Sequence, residues 1–304
     1  MAAPKIMQQG RVVPWLYVLP ALLVIIIFIV YPVINTAQLS LRNRTSEKPA
    51  SADCIAGEPC WGIFQNYRYA LTNPEMLGAL RNNALWLLVM VPITVGIGLL
   101  IAVLADRVRY ETLAKSLIFM PMAISFVGAS VIFRFIYDIQ TGGGPQIGLL
   151  NAILVGLGAK PVAWLSTFPI NNFALMVVGI WLWAGFCMTI LSAALKGLPT
   201  EVLEAARVDG ATEWQVFWRV MIPMILPTVT VVFTTLIIII LKIFDIVFVM
   251  TGGNFGTEVI ANRMFKLIVT DTGRSTAIAV LLLVLTIPIM IVNVRRFREQ
   301  EAMR

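Results

Sequence analysis

The chain has 304 residues, 59% of them hydrophobic and 13% charged, with a net charge of +7. A soluble domain carries about 25% charged residues, so the apolar surplus has to face lipid, and the same figures exclude disorder. Histidine is absent and only Cys54, Cys60 and Cys187 are cysteines, which excludes histidine bases, Ser-His-Asp triads and clustered zinc or iron–sulfur ligands and leaves no metal site to expect.

The first apolar run covers 15–36, with the core ALLVIIIFIV and Trp15, Tyr17 and Tyr31 as interfacial anchors. It reads as a retained span because five more runs follow. Residues 38–83 form a long polar outer loop with a short helix near its end. The second span is 84–105, with Pro92, Gly96 and Gly98 inside it. A charged link, DRVRYETLAK, leads to a third span over 116–136. Arg134 at its end either pairs with Asp138 on one helix face or snorkels to the interface.

After the turn at 141–145 comes an apolar stretch to Gly158 that is too short to span and fits an interfacial helix. The fourth span is 172–194, the fifth 222–244 and the sixth 275–293. The loop 195–221 predicts helix, turn, helix across the membrane surface. Pro199-Thr200 starts the first piece, Asp209-Gly210 breaks it, and Thr212-Glu-Trp-Gln215 has capping-box spacing. The expectation is one all-α membrane domain over 1–304, with a core over 84–294 and six spans.

Basic residues orient the chain. If both termini share a side, that side collects 1–14, 106–115, 195–221 and 294–304, with twelve Lys or Arg in short segments. This density places the termini in the cytoplasm; Arg42 and Arg44 weigh slightly the other way. The basic excess then belongs to anionic lipid rather than nucleic acid. Cys54 and Cys60 fall in an oxidising outer loop, with Gly57 and Pro59 able to turn the chain between them. They are expected to form a local disulfide if their Cα atoms come within about 7 Å, with two free thiols as the alternative.

Inside the 195–221 loop stands EAARVDGATEWQVFWRVMIP, residues 204–223. Ala205 and Ala206 let another surface come close, Gly210 permits a turn, and Glu204 offers a charge near a helix start. This stretch resembles the signature loop of permease subunits of ATP-binding-cassette importers: Glu-Ala-Ala, three residues, Gly, nine residues, then aliphatic, any, aliphatic, Pro. The matches are Glu204, Ala205, Ala206, Gly210, Val220, Ile222 and Pro223, and Asp209 and Ala211 complete the form common in the carbohydrate-uptake branch. Met250–Gly253 and the segment 164–183 also resemble that branch, the α-glucoside permeases above all.

The resemblance implies a type I importer permease fold in a bacterial inner membrane. It also implies a second homologous permease, two copies of a cytoplasmic ATPase docked on the 204–223 loop, and an extracytoplasmic sugar-binding protein. The substrate implied is a neutral saccharide; a polyol, glycerol phosphate or another small solute is the alternative, and a non-translocating membrane scaffold the rival class. No GxxxxGK[ST] phosphate loop occurs, so ATP and Mg²⁺ would be bound by the partner subunits and this chain would carry no cofactor and no enzymatic site. Lys242 and Asp245, three apart near the end of the fifth span, read as a neutralising pair or as part of a gate. Asn171, Asn172, Trp181 and Trp183 are candidate lining residues of a sugar path.

Overall fold

A computed structural model describes residues 13–42, 63–106, 108–142 and 144–302. Cys54 and Cys60 lie outside the described residues. The regular elements are α1 (Val13–Ile25), α2 (Tyr31–Ser40), α3 (Ile63–Thr72), α4 (Pro74–Ala105), α5 (Glu111–Phe119), α6 (Phe126–Ile136) and α7 (Leu149–Gly156), followed by α8 (Ile170–Lys196), α9 (Thr200–Val208), α10 (Glu213–Val216), α11 (Ile222–Leu241), α12 (Asp245–Met250), α13 (Ile260–Leu267) and α14 (Thr272–Ala302).

Helical segments at 15–40, 74–105, 170–196, 213–241 and 272–295 are long and apolar enough to cross a membrane. Their boundaries differ from the sequence expectation in ways the local chemistry explains. The helix of the second span starts ten residues early because Asn73 caps it, accepting from the Glu75 N–H at 2.9 Å, with Pro74 in the first turn. The fifth span absorbs α10 and begins at Glu213, so the second half of the 195–221 loop is the start of a span rather than a separate surface helix.

Two π-helical turns, Ile26–Val30 and Phe217–Met221, each lead into a helix with a proline in its first turn, Pro32 and Pro223. A proline has no N–H and its ring crowds the carbonyl four residues back. The wider turn relieves that clash without ending the helix.

The third span is broken. Its helical halves, 111–123 and 126–136, meet at 99°. Contacts with α8 show that they nevertheless cross the bundle. Lys115 Nζ bonds Ser192 Oγ, the backbone at Ile118 and Phe119 abuts Gly185, and Phe126 faces Trp183 at 6.2 Å. Phe133 then meets Trp181 at 5.3 Å and Tyr137 Oη donates to the Ala174 carbonyl at 3.0 Å. The partners descend α8 in order. Ala174 and Ser192 stand about 27 Å apart by helical rise, close to the roughly 30 Å of a hydrocarbon core. The broken pair is therefore one span.

The core lies along α4 and α8, with Trp86, Met90, Leu175, Met188 and Leu191 all almost completely buried. Gly98 is its tightest point: a Cβ there would collide with Cys187 Cβ and with the Met188 amide. Small residues are how membrane helices come this close. A smaller cluster of Met76, Ala79, Ile260 and Ile278 joins α4, α13 and α14 at the opposite end. Contacts also fix which face each end occupies. Ser40 bonds Tyr67 and Asn66 beside the start of α4, whereas Asp106 bonds Ser192 near the end of α8. With α1–α2 and the broken pair each crossing once, residue 13 and the end of α14 lie on the same face as the 195–221 loop.

Candidate functional site

The 195–221 loop is built from two capping motifs back to back. At the end of α9, Ala211 N–H donates to Ala206 O at 3.1 Å and Gly210 N–H to Arg207 O at 3.0 Å. This is the Schellman pairing, and Gly210 occupies its left-handed position with φ +85°. Among the described residues no heavy atom lies within 4 Å of where a Gly210 Cβ would stand, so glycine is required here by backbone conformation and not by space. One residue later Thr212 and Gln215 form the capping box. The Arg207 guanidinium reaches across the turn to Glu213, Nε to Oε1 at 2.7 Å. That carboxylate raises the Arg207 pKa above its ordinary value.

The turn holds its polar faces outward. Glu201, Glu204, Ala205 and Asp209 are exposed and Ala206 and Ala211 half-buried. Val208 is 86% exposed and Trp214 71%, an apolar offering that the sequence analysis passed over. Its only signal was an aliphatic residue amid polar neighbours. Ile222 and Pro223, by contrast, are the start of α11, behind the π turn.

Behind the loop sits a charged clasp. Lys115 Nζ contacts Asp106, Glu111 and Ser192, and Lys196 Nζ contacts Glu111. It ties α4, α5 and α8 together immediately before the α9 turn. Asp106, Glu111 and Lys115 come from a link that composition marks only as charged, and Ser192 and Lys196 from the end of α8.

On the opposite face, Lys242 and Asp245 do not pair with each other among the described residues. Their spacing was expected to place them on one helical face, but α11 stops at Leu241 and Asp245 opens α12. Arg134 likewise turns from Asp138 to the Val249 carbonyl at 3.4 Å. Lys242 instead stands at a groove of about 420 Å³ with Phe244, Met264, Phe265, Leu282 and Thr286. Phe244 stacks on Phe248 and tilts against Phe265, both at 5.0 Å.

Asn171 and Asn172 are completely buried struts rather than lining. Asn171 Nδ2 donates to Phe255 O at 2.7 Å and Asn172 Nδ2 to Gly256 O at 3.2 Å. Asn82 Nδ2 donates to Gly256 O and Glu258 O, each at 2.8 Å. Asn83 accepts from Ile260 N–H at 2.9 Å and donates to the last carbonyls of α11. Trp181 and Trp183 are half-buried against Phe133 and Phe126 of the broken span.

Residues 86–295 match the family model described as binding-protein-dependent transport system inner membrane component. The chain belongs to that family. It is 53% identical, over 95% of its length and all of the relative's, to the osmoprotective compounds uptake permease protein GgtC of Synechocystis sp.. It is 48% identical to the alpha-glucoside transport system permease protein AglF of Rhizobium meliloti, over 97% of this chain and 85% of that one. Its fold matches a chain of a bacterial alginate ABC transporter solved with an alginate pentasaccharide-bound periplasmic protein, with TM-score 0.73 at 21% identity and 92% of each chain covered. The protein is thus an importer permease, multi-pass in an inner membrane.

Proposed function

We propose that this permease moves a neutral saccharide, an α-glucoside, through an inner membrane on energy from ATP hydrolysed by partner subunits. The observation that carries the reading is the 204–223 turn, whose two capping motifs hold Glu204 and Val208 outward at the full signature spacing. A turn of that rigidity transmits a push on α9 to α8 on one side and to the continuous α10–α11 helix on the other. The face bearing it is then cytoplasmic, with both chain ends.

In this reading two copies of an ATPase dock at the turn, a second permease completes the path, and a binding protein delivers the sugar to the opposite face. ATP and Mg²⁺ reside in the ATPases. The groove beside Lys242 suits a path wall: Phe244 and Phe265 offer flat apolar faces, and Lys242 a polar end. Closure of the ATPases rocks the permeases about that path.

The saccharide assignment draws on the name of the AglF relative. The name of the GgtC relative favours a second reading, a small polyol-like osmolyte carried by the same machinery. Reconstitution with ATPases, second permease and binding protein tests both. Hydrolysis stimulated by α-glucosides supports the first, stimulation by polyol-type solutes alone supports the second, and no stimulation by any solute leaves a scaffold.

A further inference from the structure

A second cavity opens on the face opposite the 204–223 turn. It measures about 380 Å³ and is lined by Arg81 and Asn82 of α4, Phe168 before α8, Asn254 and Glu258 of the loop after α12, and Lys266 of α13. Its volume is within the range of small-molecule sites, roughly 300–1,000 Å³.

The wall carries open hydrogen-bonding capacity of both signs. Arg81 is exposed and makes no hydrogen bond or ion pair among the described residues. Asn254 donates to Thr251 O at 2.9 Å, and nothing among the described residues donates to its side-chain oxygen. Glu258 accepts from Lys266 at 2.7 Å and from Asn262, and Glu75 of the same wall pairs with Arg263, so two ion pairs are neutralised and one cation, Arg81, is left over.

The wall also has an apolar platform. The Phe168 ring is 56% exposed and lies over Gly256, where an added Cβ would come within 3.3 Å of it. The loop that completes the cavity is held rigidly. Asn82, Asn171 and Asn172 grip its carbonyls at Phe255, Gly256 and Glu258. Phe255 is kept at φ +56° and 59% exposed, a backbone conformation that bulky residues seldom adopt.

We infer that this cavity is a receiving subsite for a mono- or disaccharide at the extracytoplasmic mouth, a step that rests on the sugar reading above. A saccharide presents hydroxyls that both donate and accept, plus a C–H face that packs on an aromatic ring. Arg81, Asn254 and Phe168 answer those features within one small concavity. An acidic side chain of a docking protein would satisfy Arg81 alone and leave the ring and the amide unused.

The test uses the assembled permease pair with its ATPases in lipid nanodiscs, without binding protein. Saturation-transfer NMR is recorded with maltose, sucrose and trehalose, and docking of the unliganded binding protein is measured in parallel. Saturation should reach the ring protons of at least one sugar. Phe168→Ala and Asn254→Ala should each weaken that binding roughly tenfold, Arg81→Met should weaken it too, and Phe168→Tyr should retain it. Asn254 is exposed, so its variant keeps the test valid if Phe168→Ala fails to assemble. Unchanged sugar signals in the alanine variants overturn the inference. So does loss of binding-protein docking with the sugar signal intact, which assigns the cavity to protein contact. If wild-type nanodiscs give no signal while sugar uptake with the binding protein persists, the subsite is wrong and the transport reading stands; if uptake is absent as well, both fall.

Discussion

Arg207 and Glu213 clasp hands across the Gly210 turn at 2.7 Å, so the end of α9 and the start of the fifth span are joined by a side-chain bridge as well as by the chain. The bridge is exposed and is worth little by itself. The conformation it spans is worth more. Gly210 at φ +85° is replaceable by Asn at small cost, by Ala at about 1–2 kcal/mol, and by Val only with rearrangement. Solute-stimulated ATP hydrolysis in proteoliposomes should fall in the order Gly, Asn, Ala, Val, with membrane insertion unchanged. Wild-type coupling in Gly210→Val would remove the turn from the mechanism.

Glu204 and Val208 are expected to carry ATPase docking. Both are exposed, so their loss should not lower the thermal midpoint of the isolated permease. Glu204→Ala should weaken ATPase association by about 2–5 kcal/mol, part of it the cost of stranding the partner's charge. Val208→Glu should do at least as much by placing a charge in an apolar contact. Co-purification of the ATPase reads both. Normal recovery with both variants would show that the loop only tethers two spans.

Gly98 tests the α4–α8 seam. Gly98→Val drives a side chain into Cys187 and the Met188 backbone. Overpacking of this kind costs about 1–3 kcal/mol or more, read as a lower thermal midpoint and poor recovery from detergent. Gly96→Ala, two residues away and with open space at its Cβ position, should be neutral.

Lys115→Met should lower the thermal midpoint of the permease, because it removes the cation shared by Asp106 and Glu111 and leaves Asp106 with Ser192 and Glu111 with Lys196. Adding Asp106→Asn and Glu111→Gln should recover most of the loss. A triple variant no better than the single one would mean that packing of the lysine stem, rather than its charge, is what matters.

Topology has its own check. With Cys54, Cys60 and Cys187 replaced by alanine, Glu201→Cys should resist a membrane-impermeant thiol reagent in intact cells and react in inverted vesicles. Labelling from outside would reverse the orientation. In the native chain, mass spectrometry after alkylation without reductant decides whether Cys54 and Cys60 are bonded.

Much of this architecture was legible because it depends on local chemistry. Hydropathy locates the spans, and the Thr212–Gln215 spacing and Asp209-Gly210 announce the turn. The early start of α4 was also written, as Asn73-Pro74-Glu75, but hydropathy outweighs a cap when the first turns are polar. The break in the third span had only weak marks. Pro121 and Ser125 precede α6, and Ser125 accepts from the Gly128 N–H at 3.1 Å, yet neither residue forces a bend in a membrane helix. The end of α11 had no mark at all. Nothing in Ile-Leu-Lys-Ile-Phe stops a helix; Asn83, 157 residues from Ile240, donates its Nδ2 to the carbonyls of Ile240 and Leu241 at the helix end. The asparagine struts show the same limit, since a polar residue near a span end reads equally as lining or as support.

Those struts have a consequence for how the protein can change. Asn82, Asn171 and Asn172 take hold of main-chain carbonyls, which every amino acid possesses. The exposed side chains of Asn254 and Phe255 can therefore be exchanged by mutation while the asparagines keep their grip on the loop's path. A lineage can retune what the mouth of this importer greets without rebuilding the helices beneath it. Relatives that share this bundle and carry different solutes are what such a division of labour would produce.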